Sequence, residues 1–121
     1  MRIANLLAVG VSVREAHGVG GTVNAAVAAA GSSKTDATLL TADINLVTTC
    51  TAGQGVILPT GTFGDEIWVG NGTTGSGTES VFVYPPSGGK LNGQTADIPL
   101  TLAPTMAVKF KALTSVNYLV A

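Results

Sequence analysis

Nucleophiles, bases and metal ligands are scarce in this sequence. His17 is its single histidine and Cys50 its single cysteine. A Ser-His-Asp relay would have to be built around His17, which sits in Ala16-His17-Gly18-Val19-Gly20-Gly21. That stretch is poor support for catalysis, which needs rigid elements, and an exposed or interface histidine is the simpler reading. A zinc centre of His and Cys ligands requires at least three of them, and one of each is present. Cys50 follows Leu46-Val47-Thr48-Thr49, so it reads as a buried strand thiol, and a lone cysteine cannot form an internal disulfide. The carboxylates Asp36, Asp43, Asp65, Glu66, Glu79 and Asp97 are dispersed. A glycosidase pair among them stays open, although the aromatic platforms that bind sugars are largely missing. Calcium held by Asp and Asn oxygens at loop tips is also open. The run Gly70-Asn71-Gly72-Thr73-Thr74-Gly75-Ser76-Gly77 has the glycines of a phosphate loop. It lacks the Lys-Ser/Thr pair and the strand-to-helix setting that such a loop needs.

The elements that would position any site are strands. Ile67 to Val69 and Val81 to Tyr84, β-branched and aromatic, flank that glycine-rich run and predict a β-hairpin from Asp65 to Tyr84. With Trp68, Phe82 and Tyr84 it is expected to supply much of the core's bulk. Its tip, with Asn71, Thr73, Thr74 and Ser76, is expected to be exposed, either idle or a contact loop. Other strands follow from turn signals and alternation. Asp43 to Thr51 carries Ile44, Leu46 and Thr48 on one face. Ala52-Gly53-Gln54-Gly55 turns the chain into Val56-Ile57-Leu58, which Pro59 ends. Pro85-Pro86-Ser87-Gly88-Gly89 makes a corner, and Lys90-Leu91 enters an Asn92-Gly93 turn. Ile98, Leu100 and Leu102 share a face beside Pro99, which suggests a sheet edge. Met106, Val108 and Phe110 are expected inward with Lys109 and Lys111 outward, and Ser115 to Val120 is a last strand. Seven or eight short strands without a helix-length segment between them predict an all-β, antiparallel sandwich, jelly-roll-like or barrel-like. Residues 37–121 form this domain in that reading. Residues 1–36 form an N-terminal arm with a short alanine-rich helix from Asn24 as one option. Its Leu6, Leu7, Val9, Val11 and Val13 are the candidate contacts with a neighbouring subunit or a larger partner.

Composition bounds the partners. Charged residues make up 11% of the 121 residues, against about a quarter in ordinary soluble domains, and glycine occurs 16 times. Such sparse charge favours assembly over a monomer coated in Thr, Ser and Asn. The net charge of −1 and the scattered Arg2, Arg14, Lys34, Lys90, Lys109 and Lys111 argue against nucleic-acid and membrane-surface binding. Met1 to Val11 has the outline of a short signal peptide, but Asn5 interrupts it and Arg14 and Glu15 follow, so a soluble, unprocessed chain is expected.

Several phrases carry a family resemblance: Leu40-Thr41-Ala42-Asp43-Ile44-Asn45, Gly55-Val56-Ile57-Leu58-Pro59, Val83-Tyr84-Pro85-Pro86-Ser87-Gly88 and Leu91-Asn92-Gly93. Residues 35 to 112 resemble small tailed-bacteriophage virion proteins, the head decoration (cement) proteins and related head- or tail-fibre modules. The matching positions are turn and core residues. The resemblance implies a β-sandwich, often homotrimeric, on the capsid exterior, with no enzymatic activity and no cofactor. Its partners would be the major capsid protein and further copies of itself. A fibre or baseplate module touching a receptor or glycan through Gly70 to Ser80 is the alternative. A secreted sugar-binding or adhesive domain is a third, and it would need Trp68, Tyr84 and Tyr118 exposed on one face.

Overall fold

Alternation along a strand decides which side chains share a face, while hydrogen-bond partners are chosen by the whole chain. In the computed structural model, which describes residues 22–73 and 79–120, nine strands form and no helix occurs among those residues. They are β1 (Val23–Ala28), β2 (Thr38–Leu39), β3 (Ile44–Thr49), β4 (Gly55–Ile57), β5 (Glu66–Asn71), β6 (Val81–Tyr84), β7 (Leu100–Leu102), β8 (Ala107–Ala112) and β9 (Tyr118–Val120). A five-stranded sheet runs β1-β3-β5-β8-β9 and a four-stranded sheet runs β2-β4-β6-β7. The all-β expectation holds.

The antiparallel expectation does not hold. From β1 to β6 the chain alternates between the two sheets, so odd strands stack beside odd and even beside even. Each neighbour in this half is parallel: Val23 opposite Ile44, Ile44 opposite Trp68, Val56 opposite Thr38 and Val83 opposite Val56. Parallel neighbours need a long crossover, usually a helix. Here the strand in the opposite sheet serves as that crossover, which is why a helix-free chain still forms parallel pairs. Antiparallel pairing enters only with β6–β7, β5–β8 and β8–β9.

The predicted hairpin from Asp65 to Tyr84 is likewise corrected. β5 and β6 lie in different sheets, so the glycine-rich run between them carries the chain from one sheet to the other. The alanine-rich stretch is strand β1, in register with β3, where its Val27 joins the core. Residues 22–36 therefore belong to the two-sheet domain, not to an arm that ends at residue 36. The sequence from Val23 to Ala28 is extended because pairing to β3 outweighs the helix preference of its three alanines.

Between the sheets lie Val27, Leu40, Val47, Val56, Leu58, Val69, Val81, Val83, Phe110 and Tyr118. The largest fully buried side chains are Tyr118 and Phe110, while Trp68 is 44% exposed. The expected bulk of the core thus shifts from the central strands to the last two. Of the trio Met106, Val108 and Phe110, only Phe110 is buried, and Met106 is exposed just before β8. Several turns form as expected. Asn92 (φ 52°) and Gly93 (φ 71°) adopt the left-handed pair of a tight turn closed by the Gln94 amide on the Leu91 carbonyl at 3.0 Å. Pro99 immediately precedes β7, an edge strand of the smaller sheet.

Candidate interaction surface

The residues with chemical potential are occupied in holding turns. Asp36 Oδ1 accepts from the Ser33 and Ser32 amides at 2.9 and 3.0 Å, and these bonds hold its carboxyl below the usual range. Asp97 accepts from Lys34 Nζ at 2.8 Å and from the Gly88 amide at 2.8 Å, and its carboxyl is likewise held low, chiefly by the lysine. Asp65 accepts from the Thr62 amide, Asp43 from the Thr22 hydroxyl, and Glu66 pairs with Lys111 at 3.3 Å. Cys50 is buried, as expected, and burial, reinforced by the charge of Glu79, pushes its thiol away from the reactive thiolate. No group of three His, Cys, Asp or Glu side chains that could hold a metal ion occurs among the described residues. His17 and the arm contacts Leu6, Leu7, Val9, Val11 and Val13 lie outside the described residues, as do Thr74 and Ser76.

Asn71 and Thr73, expected at an exposed tip, are each only 2% exposed. Alternation explains this: Ile67, Val69 and Asn71 share the inner face of β5. The Asn71 amide nitrogen donates to the Glu79 carbonyl at 2.8 Å and the Leu102 carbonyl at 2.9 Å. Its carbonyl oxygen accepts from the Thr73 hydroxyl at 2.7 Å and the Thr73 amide at 3.1 Å. One side chain thereby ties both ends of the sheet-to-sheet crossing together and anchors them to β7. These two residues are structural, and neither presents a contact surface.

The accessible feature is the outer face of the five-stranded sheet. Cross-strand register aligns Val23, Ile44, Trp68 and Lys109 in one row. Leu46, Gly70 and Ala107 form the next row, and Glu66, Lys111 and Leu119 flank it on the other side. Ile44 is 44% exposed and Leu46 41%, although both are large aliphatics. Gly70 and Gly72 leave room for Leu46 to lie across β5: a Cβ would come within 3.3 and 2.8 Å of its Cδ1. The result is a shallow groove of about 290 Å³ bounded by Ile44, Leu46, Trp68, Gly70 and Ala107. Lys109 Nζ lies 5.8 Å from the Trp68 ring centroid, within cation–π range, and borders the apolar rows with positive charge.

The outward aim of Trp68 had a signal in the sequence. Two positions from Glu66, it must share the glutamate's face, opposite Ile67 and Val69. Tyr84 and Tyr118 are buried, so the three aromatics that an adhesive sugar-binding domain would display do not share a face. The chain matches no family model, no curated protein and no solved structure.

Proposed function

We propose that the chain is a bacteriophage capsid decoration (cement) protein. It binds the outer head lattice as a homo-oligomer, expected to be a trimer, and stabilises the shell against internal DNA pressure. The observation that carries this reading is the outer sheet face, with Ile44, Leu46 and Trp68 exposed in two adjacent rows. Contiguous apolar surface of this kind marks interaction sites on soluble proteins. A cementing role asks for broad apolar and backbone contact instead of a reactive centre, and the carboxylates of Asp36, Asp65, Glu66 and Asp97 are committed to turns and ion pairs. The resemblance of residues 35 to 112 to phage virion proteins supports the same reading, as does the low charge content. The protein acts in this role without enzymatic activity or cofactor, through the major capsid protein and its own copies.

Purified protein mixed with undecorated heads should bind them and raise their melting temperature. Absence of both effects overturns the proposal. The exposed Trp68 favours, as a second reading, a head-fibre, tail-fibre or baseplate module that contacts a receptor or glycan. Against a glycan, the groove offers aliphatic and glycine surface with few side-chain groups to bond sugar hydroxyls. Immunogold label confined to tails would select this second reading.

A further inference from the structure

We propose that Asn92-Gly93 is a site of spontaneous covalent modification, where the folded protein exchanges an amide for an aspartate or isoaspartate beside β9. The fold protects the chain's other described Asn-Gly pair, Asn71-Gly72, from the same reaction. The chemistry starts at the glycine amide, which loses its proton to solvent hydroxide. Its nitrogen attacks the carbonyl carbon of the asparagine side chain. As that bond closes a succinimide ring, the bond to Nδ2 breaks and ammonia leaves, taking a proton from water. Water then opens the ring at either carbonyl. One opening gives aspartate, the other isoaspartate with an extra methylene in the backbone. No electrons are exchanged, and water is the only co-reactant.

The two pairs meet these demands in opposite ways. The Gly72 amide is committed to the Val47 carbonyl at 2.8 Å, and a Cβ on Gly72 would come within 2.8 Å of Leu46 Cδ1. Asn71 Nδ2, the group that would leave, is tied to the Glu79 and Leu102 carbonyls in the interior. The Gly93 amide, in contrast, donates to no group among the described residues, and neither does Asn92 Nδ2. Both residues are exposed, and a Cβ on Gly93 would meet nothing within 4 Å, so water can enter and ammonia can leave. Asn92 Oδ1 accepts from the Val120 amide at 2.8 Å, a donor aimed at the oxygen on which negative charge develops during attack.

Ring closure swings the Gly93 nitrogen onto the Asn92 side chain, so the tight turn has to open locally. Its ties are the Gln94 amide on the Leu91 carbonyl at 3.0 Å and the Asn92 amide on the Tyr118 carbonyl at 2.9 Å. Few buried contacts hold this turn, and opening such a segment costs little. The consequence falls on β9, whose outer edge is lined by Lys90 to Asn92 through the Tyr118 amide on the Lys90 carbonyl at 3.0 Å. Isoaspartate lengthens the two-residue turn and shifts the acceptor away from Val120, which uncovers that edge.

The test holds native protein and urea-unfolded protein at mildly alkaline pH and reads acid and isoaspartate at each pair by peptide mapping. In urea the two pairs should convert at comparable rates. In the native protein Asn92 should convert several-fold faster than Asn71. Native conversion that is equal at the two pairs, faster at Asn71 or absent at Asn92 overturns the proposal. The added negative charge lets anion exchange isolate the isoaspartate form, in which the Val120 amide should exchange with solvent faster than in fresh protein; unchanged exchange overturns the link to β9. Head binding does not enter these measurements, so this inference and the decoration role fail separately.

Discussion

The two faces of the five-stranded sheet invert the usual placement of polar and apolar residues. The inner face carries Asn45 and Asn71 among Val47, Val69 and Phe110, while the outer face carries Val23, Ile44, Leu46, Trp68 and Leu119. Each inward asparagine is tied to backbone carbonyls: Asn45 Nδ2 donates to Ala42 at 2.8 Å, and Asn71 spans the β5–β6 crossing. Chains that cross repeatedly between sheets leave corner carbonyls without ladder partners, and a buried amide can satisfy them. The outer face, which also carries Glu66, Lys109 and Lys111, has no such local reason for its composition. Inside, polarity serves the fold; outside, apolar side chains stay exposed beside charged ones.

Substitutions on the two faces should therefore differ in size and in readout. Phe110→Ala, at the centre of the interior, should cost about 3–5 kcal/mol in urea unfolding and test whether the last strands carry the core. Asn71→Ala strands the Leu102 carbonyl and the Thr73 amide and leaves the Glu79 carbonyl only its 3.3 Å bond from the Thr73 hydroxyl; it should cost about 2–3 kcal/mol, with increased proteolysis between Thr73 and Glu79. A cost near zero would show that Asn71 is not the tie between the sheets.

Tyr118→Phe removes the phenol donor that bonds the Pro59 carbonyl at 2.6 Å and should cost about 1 kcal/mol at neutral pH. Burial, reinforced by the charge of Asp65, pushes this phenol up to about 12. The folded protein then holds a proton that the unfolded chain releases near pH 10. Wild-type stability should fall as pH rises from about 10 to 12, and Tyr118→Phe should flatten that decline. On the outer face, Ile44→Thr keeps the branched Cβ that suits a strand and should change unfolding by no more than about 0.5 kcal/mol. A loss as large as that of an interior residue would break the contrast between the faces. Smallest of all, Lys34→Met removes the partner of Asp97 and should lower the melting temperature slightly at neutral pH. Because the Asp97 carboxyl is held low, that stabilisation is present above the ordinary carboxylate range and is lost as pH falls below that range, through the lowered folded-state value. Melting curves of wild type and variant should converge in acid.

Strand positions from β3 onward, the Asn92-Gly93 turn, the edge placement of β7 and the buried thiol were legible because each depends on neighbours in sequence. Pairing was not legible. The Gly- and Thr-rich stretch after Asn71 would suit a hairpin tip as well as a sheet-to-sheet crossing, since both require bending and neither names its partner strand. The site was legible in part: Glu66 and Trp68 share a face by simple alternation, but what lies beside that face depends on β3 and β8. Asn71 was misplaced because asparagine beside glycine is the usual mark of an exposed turn, and its buried bonding to Leu102 spans 31 residues.

The alternation of strands between sheets also sets a clock. Val23 meets Ile44, 21 positions on; Ile44 meets Trp68 after 24; Gly55 meets Phe82 after 27. Only the β8–β9 pair, with Ala112 opposite Tyr118, closes a short loop. Chains dominated by such distant pairings fold in about milliseconds to seconds, because loop-closure entropy is lost before contacts return it. During that interval the uncharged strand Val23–Ala28 has no partner until β3 arrives, and it exposes an edge open to other chains. Refolding yield should therefore fall with protein concentration, and crowded synthesis is where this chain is most vulnerable.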